Sequence, residues 1–66
     1  MAKQKLYRWA VYEGLRFVCG DEEASRSAAV AAAQWAGLNE DLVKRCGTYS
    51  VWNPNAKRIV HHAKLG

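Results

Sequence analysis

The stretch Ser25–Ala36, S-R-S-A-A-V-A-A-A-Q-W-A, decides the fold. Half of it is alanine, which loses no side-chain entropy on entering a helix and is the strongest helix former. Asp21 or Ser25 can cap the first turn, and Gly37 suits the left-handed position past the last turn, with Leu38 folding back on the helix end. Ala24, Ala28, Ala31, Trp35 and Leu38 recur at three- and four-residue spacing. That spacing predicts the stripe that lies on a sheet, with Trp35 buried between the layers.

Outward from the helix, both flanks read as hairpins. On the N-terminal side, Lys5–Glu13 (K-L-Y-R-W-A-V-Y-E) and Leu15–Cys19 (L-R-F-V-C) are aromatic and β-branched runs parted by Gly14. On the C-terminal side, Asn39 can cap a short helical piece, Glu40–Arg45, with acids first and Lys44 and Arg45 last, as the helix dipole favours. Thr48–Trp52 and Lys57–Ala63 then form strands around Asn53-Pro54-Asn55-Ala56, where Asn followed by Pro signals a type I turn. The order β-β-α-β-β predicts an α+β fold of two layers. It consists of a four-stranded antiparallel sheet, one Ala-rich helix packed on one face, and a short second helical turn.

Register decides which side chains face a partner, because a slip of one residue turns every side chain over. Three-residue loops pair Tyr12 with Arg16 and Val11 with Phe17, and in the second hairpin Trp52 with Arg58 and Val51 with Ile59, with Ala56 left-handed. Tyr7, Trp9, Val11, Phe17 and Cys19 then share the covered face with Tyr49, Val51, Ile59 and Ala63. A two-residue turn at Glu13-Gly14 is the competing reading and buries Tyr12, Leu15 and Phe17 instead.

A chain of 66 residues supports one domain, 1–66, with a single core. Its formal net charge of +4 is unevenly spread. Residues 1–20 and 44–66 are basic, whereas 21–43 carry Asp21, Glu22, Glu23, Glu40 and Asp41 against Arg26 alone. The N-terminal residues form neither a signal peptide nor an apolar run long enough to span a bilayer, so a cytoplasmic protein without membrane contact is expected. Cys19 and Cys46 lie far apart without a C-x-x-C, and are expected to be small buried thiols.

In this register the uncovered sheet face carries Arg8, Tyr12, Arg16, Trp52, Arg58 and His62. Arginine and aromatic rings together stack on bases or anchor protein interfaces. The plainer reading is a local cross-strand pair of Trp52 over Arg58 on a solvated surface. No G-x-S-x-G, glycine-rich phosphate loop or H-E-x-x-H is present, so no enzyme, cofactor or small-molecule substrate is expected. His61 and His62 point to opposite faces of a strand, and no metal site is expected.

Taken whole, the first hairpin, the alanine-rich helix and the final W-N-P-N-A-K-R-I-V hairpin resemble the small type I anti-CRISPR proteins that phages use against host machinery. The resemblance is architectural and supplies no site residue. It implies a phage-encoded inhibitor that binds a Cas surveillance complex in the host cytoplasm and blocks its access to DNA. Many such inhibitors are acidic DNA mimics. The basic sheet here departs from that pattern and implies a grip on a Cas subunit, or on RNA or DNA at its edge.

Overall fold

A computed structural model describes residues 6–65. Its elements are β1 (Tyr7–Glu13), β2 (Arg16–Glu23), α1 (Arg26–Asn39), β3 (Thr48–Asn53) and β4 (Arg58–Lys64). The strands form one antiparallel sheet in the order β2-β1-β3-β4, with α1 crossing one face. The expected α+β architecture is thus present. Among the described residues no helix is long and apolar enough to cross a membrane.

Ser25, not Asp21, caps the helix: its backbone is extended and its Oγ accepts from the Ala28 N–H at 3.2 Å. The helix continues past Gly37, which lies inside it, and ends in a Schellman motif around Asp41 (φ 57°). There the Leu42 N–H donates to the Gly37 carbonyl at 2.9 Å and the Asp41 N–H to that of Leu38 at 3.1 Å. The short piece expected at Glu40–Arg45 amounts to a single turn closed by the Arg45 N–H on the Leu42 carbonyl. It ends at left-handed Cys46 (φ 57°), which is exposed instead of buried.

The helix also meets the sheet on a different face from the one its spacing suggests. Ala29, Ala33 and Gly37 are buried, whereas Trp35 is 69 % and Leu38 63 % exposed. The reason is steric. Val11, Leu42, Tyr49 and Leu65 supply bulk to the core, with Trp9 packed against it, so the helix must supply hollows. At Gly37 the hollow is complete: a Cβ there would come within 2.6 Å of Leu65 Cδ2.

Both hairpins depart from the three-residue loops. Gly14 (φ 62°) and Leu15 alone separate Glu13 from its partner Arg16, and Gly14 supplies the positive φ that the first position of a II′ turn demands. A bulge at Val18 then shifts the pairing, so that Tyr12 opposes Phe17 but Val11 opposes Cys19. In the second hairpin, Asn53 Oδ1 accepts from the N–H groups of Asn55 (2.8 Å) and Ala56 (3.2 Å). The loop therefore winds one residue further, and Lys57 (φ 55°), not Ala56, is left-handed. Trp52 opposes Ile59, and a second bulge at Val60 sets Val51 opposite His61. Phe17 and Ile59 consequently leave the covered face, where Val18, Cys19 and Ala63 pack against the core.

Candidate docking face

On the sheet face away from α1 the observed register builds three parallel rows across the strands. The first is Phe17–Tyr12–Thr48–Lys64, the second Gly20–Ala10–Ser50–His62, and the third Glu22–Arg8–Trp52–Ile59. Along β1 and β3 adjacent rows lie two residues apart, or about 7 Å at the rise of a strand. The middle row is small over three strands, so the face is a trough with aromatic and charged walls. Its β2 end opens into a groove of about 490 Å³ beside Gly20, lined in part by Arg8, Ala10, Phe17 and Glu22.

Each wall holds one aromatic contact that positions it. Tyr12 and Phe17 meet edge to face with ring centroids 5.9 Å apart. The Arg8 guanidinium lies 5.3 Å from the Trp52 ring centroid, across a direct β1–β3 pair. Phe17 is 58 % and Ile59 51 % exposed, large apolar groups left open among the described residues.

Of the six residues expected on this face, Arg8, Tyr12, Trp52 and His62 come together here. Arg16 and Arg58 do not. Arg16 pairs with Glu13 across the tight turn and donates to its Oε1 at 3.0 Å; Arg45 holds the other carboxylate oxygen at 3.1 Å. Arg58 opposes Asn53 on the helix side, so the cation over Trp52 is Arg8 and not Arg58. The loop lengths cause both changes: a two-residue first turn and a four-residue second loop each move the register by one, which also brings Phe17 and Ile59, not assigned to the site by the sequence, onto this face, and Lys64 ends its first row. Gly14 was the one available signal, since a glycine at the first central position favours the two-residue turn.

The covered face offers a different arrangement. Gln34 Nε2 donates to Tyr49 Oη at 3.1 Å, and Tyr49 Oη lies 2.9 Å from His61 Nε2. The phenol and imidazole rings are 5.2 Å apart, and the chain of hydrogen bonds ties α1 to β3 and β4. His62 lies on the other side of the sheet, opposite Ser50. Cys19 is a free thiol whose pKa is raised by burial and secondarily by the charge of Glu40, which keeps it protonated and poorly nucleophilic. Among the described residues, no three His, Cys, Asp or Glu side chains are grouped to hold a metal ion. Comparison with family models, with curated proteins and with solved structures found no match.

Proposed function

We propose that this chain is a non-catalytic binding protein that docks a protein surface of a host nucleic-acid-handling complex through the open face of its sheet. The observation that carries the reading is the trough, in which Arg8, Trp52, Tyr12 and Phe17 stand beside a floor of Gly20, Ala10 and Ser50. Tryptophan, tyrosine and arginine in a concave, partly desolvated setting are the residues that dominate protein–protein binding. Glu22 beside Arg8, with Phe17 and Ile59 exposed, gives mixed charge and apolar anchors, where a phosphate track would present cations alone. The resemblance in size and element order to type I anti-CRISPR proteins points to a phage inhibitor acting in the host cytoplasm, with a Cas surveillance complex as target.

The test is affinity capture from host lysate with the parent chain, with Arg8→Glu/Trp52→Ala, and with Arg58→Glu. The double variant should lose a multisubunit nucleic-acid-handling complex that Arg58→Glu retains. Equal capture by all three would dismiss the open face. A mobility shift with random DNA and RNA at two salt concentrations addresses direct nucleic-acid binding. A shift that collapses steeply with salt would replace the protein target with phosphate recognition.

A further inference from the structure

We infer that the two edges of the sheet fit each other, so that β4 of one copy adds to β2 of the next and the sheet extends head to tail. An edge strand leaves a row of backbone groups outside the ladder, ready to pair with another chain. Here the two edges, β2 and β4, are opposite in charge. β2 carries Asp21, Glu22 and Glu23, and its one cation, Arg16, is already held by Glu13. β4 carries Arg58 and Lys64 with two histidines and no acid. Among the described residues Glu22, Glu23, Arg58 and Lys64 have no ion-pair partner within their own copy.

The backbones match as well. The Leu65 N–H donates to the Gly47 carbonyl at 2.9 Å, so alternation directs His61 and Ala63 toward β3 and His62 and Lys64 outward. On β2 the Glu22 N–H turns to Asp21 Oδ1 at 2.8 Å instead of to β1, and Gly20, two residues back, shares its direction. Gly20 and His62 end one row across the sheet, and Phe17 and Lys64 end another. Four strands of alternating direction make the next β2 antiparallel to β4 after a plain advance along these rows. That advance sets His62 opposite Gly20 of the next copy and Lys64 opposite its Phe17, pairs whose backbone groups all point into the seam. On the helix side it sets Arg58 opposite Glu23 and His61 opposite Asp21 of the next copy. Arg26, which holds the Val60 carbonyl at 3.2 Å, brings a second cation to the level of that Asp21. Opposite charges therefore meet along the seam, whereas joining two β2 edges about a two-fold axis gathers acids, and joining two β4 edges gathers cations alone. Each copy extends the sheet by four strands, about 19 Å. An advance without stagger does not close into a barrel, so the assembly grows as an open, twisted fibre.

Sedimentation velocity over a hundredfold concentration range tests the seam. The parent should grow from monomer into chains whose length rises with concentration, without stopping at a dimer. Glu23→Arg and Arg58→Glu should each weaken association at least tenfold. An equal mixture of the two variants should recover it, because alternating copies rejoin opposite charges at every junction. Lys64→Pro removes an outward N–H and leaves the ladder to β3 intact, so it should abolish growth while melting like the parent. A parent that stays monomeric throughout overturns the inference. A parent that stops at a dimer, or that responds to only one of the two charge reversals, shows a two-fold pairing of like edges and overturns it as well. Capture of a host complex through the trough reads out separately, because a single copy holds the whole trough and Arg58 lies on the other side of the sheet.

Discussion

The two faces of the sheet are built from alternate residues of the same strands, and both contain tryptophan, tyrosine and branched aliphatics. On the covered face Val11 and Val51 are fully buried and Tyr49 nearly so. On the open face Phe17 and Ile59 remain more than half exposed. What separates them is a partner layer, because apolar area stabilises a fold only when something removes it from water. Trp9 and Trp52 show the contrast within one residue type. Trp9 packs against the core with its indole N–H buried and unpartnered, whereas Trp52 lies under the Arg8 guanidinium. Substitutions on the covered face should therefore move stability, and those on the open face should move binding.

The largest effect is expected where the covered face is densest. Leu42 is fully buried and follows the Schellman turn that ends α1, so Leu42→Ala removes a core side chain and the apolar contact of that turn. The cost should be about 2–5 kcal/mol, by analogy with other buried leucines. A domain of this size has a total stability of roughly 3–10 kcal/mol at the usual value per residue. Chemical denaturation should show a mutant near the limit of folding; a loss below about 1 kcal/mol would mean that Leu42 is not a core residue.

Gly37→Ala is a sharper probe, because it adds one methyl group where helix propensity alone favours alanine by about 0.8–1 kcal/mol. In this fold the new Cβ collides with the Leu65 side chain, and overpacking of this kind costs about 1–3 kcal/mol. The sign of the net change decides the matter. Destabilisation in urea supports the inner face of Ala29, Ala33 and Gly37; stabilisation would return the helix to the face of Trp35 and Leu38.

The existence of α1 and of all four strands was legible because alanine, β-branched residues and the Asn53-Pro54 turn act locally. The face that α1 buries was not. A helix with no charge over residues 27–39 has apolar stripes on both sides, and its amphipathic signal cannot choose between them. Packing chose, since Tyr49, Leu65 and the other large residues accept a helix of alanine and glycine more closely than one bearing Trp35. Site residues were legible on the unbulged strands: Arg8, Tyr12 and Trp52 follow from alternation along β1 and β3. Arg16 and Arg58 were misplaced because each directly follows its hairpin loop, where one residue fewer or one more than the expected three turns the strand over. His62 came out on the expected side because the four-residue loop and the bulge at Val60 shift its register by one residue each, which together restore its face.

On the open face the effect should shrink. Trp52→Ala removes the contact with Arg8, for which exposed cation–π pairs set a scale of about 0.5–1 kcal/mol. Trp52 is only half-buried, on the side of the sheet away from α1. Thermal melting should shift by a few degrees at most, whereas capture of the partner complex falls. An unfolded Trp52→Ala protein would show that the trough belongs to the core.

The smallest effect on stability is expected at the outer ends of the trough. Phe17 and Ile59 lie on the two edge strands, each turned outward by the length of the loop that precedes it. Phe17 meets Tyr12 edge to face but is 58 % exposed, and Ile59 is 51 % exposed opposite Trp52. Phe17→Ser and Ile59→Thr should each change stability by about 0.5 kcal/mol or less, as exposed positions usually do. Two central strands separate the sites, so the changes should add in the double variant to about 1 kcal/mol or less. With three-residue loops both residues would face α1, and the same substitutions would put hydroxyl groups into the core. Denaturation of the double variant therefore reads the loop lengths directly, since a loss of several kcal/mol would restore three-residue loops and, with them, Arg58 to the face of Trp52.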